Sequence, residues 1–315
     1  MIKYTIKRLL QSLVTLFIVI TLVFIILRFM PVEGYFDPME FDKLTEEQIQ
    51  VRLDDMGLND PIVVQLFNFY KNLAKGDLGV SMVFRKNVDI TEIIGPKVPY
   101  SVCFGLAAVL LSLIIGIPMG MIMASTKGKM GDKIGTGYVV FMNSVPAAVY
   151  YIFIQVFITD LFNLPMLFNK DNPASWILPA ISMSLAGTAS YAMWTRRYMV
   201  DQLNQDYIKL ARAKGLKRSE IMKGHVIRNA FVPMAQYLPS AILFTIAGSI
   251  YAESLYSIPG MGGLLIAAIQ RQDNNLVQAL VLIFSSIGIF GLFLGDVLMA
   301  VFDPRIKLNK SGGAR

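Results

Sequence analysis

Residues able to do catalytic or metal chemistry are few in this chain of 315 residues, which contains one histidine, His225, and one cysteine, Cys103. A metal site needs several such ligands together, and a nucleophile needs a base beside it. No Gly-x-x-x-x-Gly-Lys-Ser/Thr segment occurs, and the glycine-rich stretch Gly128–Gly137 lacks the strand–loop–helix setting of a phosphate-binding loop. We therefore expect a protein that is not an enzyme by itself and that binds no metal or cofactor.

Two carboxylates adjoin long apolar segments. Glu253 follows the charge-free run Asn229–Ala252, and Asp296 follows the run Asn274–Gly295. Acids at membrane depth are costly to desolvate, and this makes each of them a candidate functional group. The alternatives are solvation at the membrane surface for Glu253 and pairing with a neighbouring cation for Asp296.

Apolar segments make up most of the chain, in which 55% of the residues are hydrophobic and 16% are charged. Soluble domains carry about a quarter charged residues. Six charge-free runs of at least 19 residues are each long enough for a helix to cross about 30 Å of hydrocarbon. They predict an all-α integral membrane protein with about six transmembrane helices. The runs are Leu9–Leu27, Val98–Thr126, Ile134–Thr159, Asn172–Thr195, Asn229–Ala252 and Asn274–Gly295.

A further charge-free stretch, Ser254–Gln270, contains Pro259 and three glycines. These residues favour bends, and a seventh span would place the basic C-terminal residues on the side opposite to the other basic loops. We expect a bent, re-entrant segment instead. It holds a candidate outer gate, which comprises Glu253, Pro259, Gly260, Met261 and Gly262.

The sidedness of the chain follows from its lysines and arginines, which favour the cytoplasmic side of a membrane. Pro31–Lys97 holds twelve acidic and seven basic residues, whereas Arg196–Arg228 holds nine basic and three acidic residues. We expect the first segment outside, the second inside, and both termini in the cytoplasm. The net charge of +7 reflects this sidedness and indicates no nucleic-acid partner. The first apolar run has no small-residue cleavage pattern and is expected to be a retained anchor.

Three regions follow from this topology. Residues 1–30 would form the cytoplasmic N-terminus and span one, 31–97 an extracytoplasmic helical segment, and 98–315 the core with spans two to six. Within 31–97, Thr45–Gln48 is a capping box that opens a helix ending at Gly57. Asp60-Pro61 predicts the N-cap and first residue of a second helix, which ends near Gly76. Its broad apolar face would lie on the membrane or on a partner.

The cytoplasmic segment 196–228 has the pattern of two short helices joined by a glycine. Gln205–Lys214 contains good helix formers, and Gly215 suits the left-handed position after a helix. Ser219-Glu220 suits the start of the next helix. The result would be an exposed elbow (Asp206–Asn229) between spans four and five, in which small residues flank Arg212.

The elbow resembles the cytoplasmic loop of peptide-type ABC importer permeases. The resemblance rests on Asp206-Tyr207, Ala211–Gly215, His225, Arg228-Asn229-Ala230 and Pro233. Other similar segments follow in the same order along nearly the whole chain, and the similarity is greatest to the first of the two permease subunits of oligopeptide and dipeptide systems. These segments are Ile6–Leu9, Gly57–Pro61, Gly76–Ser81, Gly116–Gly120, Ser144–Pro146, Glu253–Gly262 and Asp303–Arg305.

The resemblance implies a type I ABC importer permease fold in a bacterial plasma membrane, with half of a peptide pathway in this chain. Its partners would be a second permease subunit, two cytoplasmic ATPases that bind ATP and Mg²⁺, and an extracytoplasmic binding protein. An ATPase would dock on the elbow. The docking residues would be Asp206, Tyr207, Ala211, Arg212, Ala213, Lys214, Gly215, Leu216, Ser219, Glu220, His225, Arg228 and Asn229.

The elbow departs from importers at large in two places. In the first, Lys209-Leu210-Ala211 stands where they have Glu-Ala-Ala, so a contact made by that glutamate is not carried over. In the second, His225-Val226-Ile227-Arg228 stands where they have Ile-x-Leu-Pro. Peptide-type permeases also serve nickel and oligosaccharide importers, and both remain alternative functions. A secondary transporter would need intramembrane charged relays or inverted repeats, and of the carboxylates only Asp296 lies well within a predicted span.

Overall fold

The computed structural model describes residues 2–36, 38–231, 239, 243 and 250–302. Most of the predicted span Asn229–Ala252, including Pro233, lies outside the described residues, as does the segment Asp303–Arg305. The described part of the chain is mainly helical. Its first helices are α1 (Ile2–Arg28), α2 (Pro38–Phe41), α3 (Glu46–Asp55), α4 (Ile62–Leu73) and α5 (Ile90–Ile94). An antiparallel pair of short strands, β1 (Val80–Ser81) and β2 (Val88–Asp89), precedes α5.

The remaining helices form the core and the elbow. They are α6 (Val98–Ser125), α7 (Met130–Ser144), α8 (Ala147–Phe153), α9 (Thr159–Phe162), α10 (Ile177–Leu203), α11 (Asp206–Ala213), α12 (Arg218–Ile221), α13 (Ile250–Leu255), α14 (Met261–Gln270) and α15 (Asn274–Phe302). Turns of 3-10 helix occupy Val32–Tyr35 and Pro173–Trp176, and turns of π-helix occupy Ile154–Ile158 and Met222–Ile227.

Three helices of the described chain, α1, α6 and α15, are long and apolar enough to cross a membrane. A fourth span is present if the bent pair Met130–Ser144 and Ala147–Phe162 counts as one. α10 is as long as α1 but less apolar and does not join this group. The all-α membrane architecture is therefore confirmed, while six spans and cytoplasmic termini stay predictions.

The predicted third span, Ile134–Thr159, is not one straight helix. Its two halves meet at an angle of 107°, and Val145 between them is extended, with φ −97° and ψ 125°. The cause is Pro146, which lacks an N–H group and disfavours helical geometry in the residue before it. Pro118, by contrast, lies inside α6 without ending it.

The core is built on the close packing of α6 against α10. A Cβ atom on Gly116 would lie 2.7 Å from the carbonyl oxygen of Thr188, and one on Gly120 would collide with the carbonyl oxygen of Ala192. Ser112 Oγ donates to the carbonyl of Ser184 across the interface at 2.8 Å. Small residues let membrane helices approach this closely, so α6 and α10 are expected to move as a unit.

The segment 31–97 follows its sequence signals with one exception. The Thr45–Gln48 capping box is present, and Gly57 is left-handed, with φ 68°. α4 begins at Ile62 with Pro61 as its N-cap and with no side-chain cap, so the prediction that Asp60 caps it was wrong by one position. α4 lies against α1, where Phe17 and Tyr70 stack 5.1 Å apart.

α1 also packs along α15, and the pair Arg8–Asp296 joins them at 3.5 Å. This geometry supports the cation-pairing interpretation of Asp296. The short helix α14 is only ten residues long, too short to cross about 30 Å. Ser254–Gln270 is therefore bent, as predicted.

The sidedness can be tested with single cysteines. Cys103 is exposed and must first be replaced by serine. Because Asn59 and Ser219 are both exposed, a cysteine at either position can react without disturbing the core. We expect Asn59→Cys to react with an impermeant thiol reagent on intact cells, and Ser219→Cys to react only after permeabilisation. The reverse labelling pattern would contradict the topology.

Candidate functional site

The elbow is built on a regular helix end. The N–H of Leu216 donates to the carbonyl of Ala211 at 3.3 Å, and the N–H of Gly215 donates to that of Arg212 at 3.0 Å. Gly215 has φ +80°, so these bonds form a Schellman motif with glycine in its left-handed position. Glu220 Oε2 then accepts from the Lys217 N–H at 2.8 Å, which caps α12. The predicted helix–glycine–helix arrangement is confirmed.

The inner face of the elbow is fixed to two long helices. Ile208, Ala211, Ile221, Val226 and Ala230 are buried in one cluster with Ala124 of α6 and Met199 of α10. Ala211 is only 6% exposed, so of the two alanines flanking Arg212 only Ala213 is open to a partner. A force applied to the elbow therefore reaches both α6 and α10.

Two hydrogen bonds connect the beginning of the elbow to its end and to α10. Tyr207 OH donates to Gln202 Oε1 of α10 at 2.5 Å, and Asn229 Nδ2 donates to Tyr207 OH at 3.0 Å. The Tyr207 and His225 rings lie 6.3 Å apart. Three predicted site residues thus come together, and Gln202 joins them. Its role has no signal in the sequence, because a glutamine in a helix is common.

The outer face of the elbow is exposed and basic. Arg212, Lys214, Gly215, Leu216 and Ser219 are all exposed, as is Ala213. Lys209 pairs with Asp206 at 2.8 Å on the same surface. A fork-shaped guanidinium among small and apolar residues suits contact with carboxylates or carbonyls of another protein.

The candidate outer gate is organised around Glu253, which has no exposed surface. Its Oε1 accepts from Ser101 Oγ of α6 at 2.8 Å, and its Oε2 accepts from the N–H groups of Gly262 at 2.7 Å and Gly263 at 3.2 Å. Ser101 Oγ itself accepts from the Met261 N–H at 2.8 Å. The expected alternative, solvation of Glu253 at the membrane surface, is therefore wrong.

In this arrangement the N-terminus of α14 is capped by a side chain of another helix, α13. The first N–H groups of a helix have no partner within it, and an acceptor with negative charge stabilises them. Glu253 supplies that acceptor from α13, with no side-chain cap from Gly260 at the N-cap position. One carboxylate thus joins the end of α13, the first turn of α6 and the start of α14.

Position 260 requires glycine because there is no room for a side chain, and not because of its backbone conformation. Its φ of −98° and ψ of −176° are ordinary extended values, whereas the left-handed residue of this bend is Ser257, with φ 56°. A Cβ atom on Gly260 would collide with the Glu253 carboxylate, and one on Gly262 would lie 2.9 Å from Ile250 Cα. The sequence indicated a bend here but not the buried acid behind it.

A cation, Lys97, lies near the candidate outer gate. Lys97 is the residue before α6. The pKa of its ammonium group is lowered, mainly by burial and also by the charge of Arg85, and the charge of Glu253 opposes this shift. The gate is also tied to α10, because Tyr256 OH and Ser182 Oγ share a hydrogen bond of 2.8 Å.

The glycine-rich stretch Gly128–Gly137 forms a turn at Gly128 and then the first turns of α7, so most of it is helix and not loop. Gly128 has φ 79° and its N–H donates to Asp132 Oδ2 at 2.8 Å. Asp132 also accepts two hydrogen bonds from the Arg196 guanidinium of α10, one of them 2.8 Å from Nη2 to Oδ2.

Beside this pair lies a cavity of about 580 Å³ between α6, α7 and α10. Its polar lining includes Thr136, Asn143, Ser144, Arg197 and Asp201.

Comparison with protein-family models gives two matches. Residues 116–308 match the binding-protein-dependent transport system inner membrane component. Residues 1–102 match the N-terminal membrane component of binding-protein-dependent transport systems.

Curated relatives agree with these matches. The oligopeptide transport system permease protein OppB of Salmonella typhimurium is 32% identical over 310 residues, 98% of this chain and all of the relative. The dipeptide transport system permease protein DppB of Lactococcus lactis subsp. cremoris is 31% identical over 308 residues, with the same coverage. The oligopeptide transport system permease protein AmiC of Streptococcus pneumoniae is 37% identical over 212 residues, 66% of this chain but 42% of AmiC.

A solved structure shows a similar fold. The MetNI methionine ABC transporter in an inward-facing conformation matches with a TM-score of 0.52 and 12% identity, covering 68% of this chain and 97% of the MetNI chain. At that identity the likeness concerns the fold alone. The two family matches together with OppB and DppB establish the relationship: the chain belongs to the family of binding-protein-dependent transport system inner membrane components.

Proposed function

We propose that the chain is one of two permease subunits of an ATP-binding-cassette importer for peptides, and that its elbow couples the pathway to a cytoplasmic ATPase. The observation with most weight is the packing of the elbow against the inner ends of α6 and α10. The peptide substrate is supported by OppB, DppB and AmiC, whose names specify oligopeptides or dipeptides.

Family membership makes the chain a multi-pass membrane permease and not an enzyme by itself. We infer the remaining components from it. A second permease subunit would complete the pathway, two ATPases would bind ATP and Mg²⁺, and a binding protein would deliver the peptide from outside. The source organisms of the relatives support a bacterial inner membrane.

The ATPase would contact the exposed face of the elbow. Arg212 can make a forked contact with carboxylates or backbone carbonyls of the ATPase, and Ala213 and Gly215 leave room for close approach. Closure of the ATPases would push the elbow, and the buried cluster would pass this displacement to α6 and α10. Since Ser101 of α6 donates to Glu253, the same displacement would reach the candidate outer gate.

The gate would open when α14 leaves the Glu253 carboxylate. Two hydrogen bonds from α14 to this carboxylate hold the gate closed, and each bond to a charged group contributes about 1.5–3 kcal/mol. The free energy needed to break these hydrogen bonds can be supplied by ATP-driven rearrangement, yet it is large enough to keep the resting pathway shut.

Substrate class is tested by uptake in cells that lack the chain and in cells that regain it. We expect the restored cells to accumulate a labelled tripeptide, with no change in their uptake of nickel or of a labelled oligosaccharide. The same cells with an ATPase partner inactivated should take up no tripeptide. Nickel or oligosaccharide uptake that follows the presence of the chain would assign it to one of the alternative importers.

A further inference from the structure

A cavity with both polar and apolar lining lies where α1, α4 and α15 meet the loop before β1. Its volume is about 190 Å³, room for on the order of ten water molecules. Amide side chains dominate its polar lining, together with one guanidinium and one carboxylate. These residues are Arg28, Gln65, Asn68, Asn72, Asp77, Asn275 and Gln278.

Two polar atoms of this lining are buried without a hydrogen-bond partner among the described residues: Nε of Arg28 and Oε1 of Gln65. Both side chains are held in place. The Arg28 guanidinium lies 4.5 Å from the centroid of the Phe24 ring, and its Nη1 donates to Tyr35 OH. Gln65 Nε2 donates to the carbonyls of Leu58 and Asp60, each at 2.8 Å. The residues that line the cavity therefore include one donor and one acceptor without a hydrogen-bond partner among the described residues.

The two charged side chains of the cavity lining, Arg28 and Asp77, also have no counter-ion among the described residues. Asp77 is exposed, and its Oδ1 accepts only from the Gly79 N–H, at 2.7 Å. A ligand with one negative and one positive group would match both residues.

The cavity continues as a shallow apolar groove between α1 and α15. Three residues line both: Phe69, Gln278 and Leu282. Arg28 is the last residue of α1, and α1 and α15 are both candidate membrane spans. The cavity is thus level with one membrane surface and the groove lies at the depth of acyl chains. The groove is completed by Val19, Ile20, Val23, Val281 and Ser285.

We propose that this cavity and groove bind a phospholipid with a phosphoethanolamine headgroup. The phosphate accepts from Arg28, whose planar guanidinium suits phosphate oxygens. The ammonium group lies between Asp77 and Gln65 Oε1, and an acyl chain follows the groove. Bound there, the lipid ties α4 and the loop before β1 to α1 and α15. A water-soluble zwitterion could satisfy the same polar groups, but it would gain nothing from the groove.

The test is native mass spectrometry of the full chain within its purified transporter complex. The delipidated complex is titrated with phosphatidylethanolamine or with phosphatidylglycerol of the same acyl chains. We expect the wild type to bind phosphatidylethanolamine about tenfold more tightly, as one further charge-assisted contact would give. Arg28→Gln should weaken the binding of both lipids. Asp77→Asn should remove the preference for phosphatidylethanolamine. Val23→Trp should weaken the binding of both lipids by filling the groove.

The control is Lys71→Gln, since Lys71 is an exposed cation of α4 outside the cavity lining; binding should be unchanged. If Arg28→Gln does not assemble, Asp77→Asn and Val23→Trp decide the matter, because neither residue packs on Tyr35. Equal binding of the two lipids by the wild type would overturn the headgroup assignment. Displacement of the lipid by dialanine, or full lipid binding by Val23→Trp, would contradict the proposal that the ligand is a lipid.

Discussion

A Gly260→Ala substitution is expected to lower peptide uptake roughly tenfold or more while leaving the chain in the membrane. The added Cβ would lie 2.7 Å from Glu253 Oε1 and closer still to Oε2 and Cδ, so the carboxylate must move and give up at least one hydrogen bond. One such bond contributes about 1.5–3 kcal/mol, and 1.4 kcal/mol is tenfold in an equilibrium, so the closed gate becomes at least about tenfold less populated. Uptake falls because alternating access requires the outer gate to close behind the peptide. The measurement is uptake of a labelled tripeptide per amount of chain in the membrane.

Gly263→Ala is the matched control for this variant. Its Cβ would lie 3.5 Å from the carbonyl oxygen of Ile258, an ordinary contact, and alanine favours a helix over glycine. Uptake should therefore stay near normal. Similar uptake by the two alanine variants would remove the reason for treating the Glu253 cluster as a gate.

A Gly215→Leu substitution is expected to leave membrane abundance normal and to abolish most ATPase co-purification. No atom lies within 4 Å of a Cβ at this position, so the damage comes from the backbone, where φ is +80°. The left-handed conformation costs a side-chain-bearing residue about 1–2 kcal/mol. The Schellman motif would then be lost and α12 would be redirected from α11. The amount of ATPase retained by a tagged chain measures the effect.

Two controls separate backbone strain from bulk. Gly215→Asn should retain the ATPase, because asparagine tolerates the left-handed region. Gly224→Leu adds the same bulk to the elbow in open space, at a glycine without positive φ, and should also retain it. Equal loss in both leucine variants would show that bulk on the elbow, not the turn, weakens the association.

Features set by neighbouring residues could be predicted from the sequence. The Thr45–Gln48 capping box and the left-handed positions of Gly57 and Gly215 each depend on a few adjacent residues. The elbow helices also matched to within about one residue at their ends, which is the usual uncertainty of helix boundaries. The ordered motifs likewise indicated the family, and several of them mark a local turn, as at Gly57, Gly76 and Gly215.

Features set by distant contacts could not be predicted. Ser101 and Glu253 are 152 positions apart, so the burial of Glu253 depends on how α6 meets α13 and α14. Whether Ala211 or Ala213 faces a partner depends on which side of α11 packs on Met199. The charge-free run Ile134–Thr159 predicted one span, whereas the size of its 107° bend depends on how both halves pack.

The most direct test of ATPase coupling is ATP hydrolysis by the full transporter in lipid nanodiscs, with and without peptide-loaded binding protein. For the wild type and Gly215→Asn we predict that the loaded binding protein stimulates hydrolysis. For Gly215→Leu, with ATPases supplied in excess, we predict basal hydrolysis without stimulation, because the signal from outside no longer reaches the ATPase through the elbow. A Gly215→Leu transporter with full stimulation would contradict the assignment of the elbow as the coupling element.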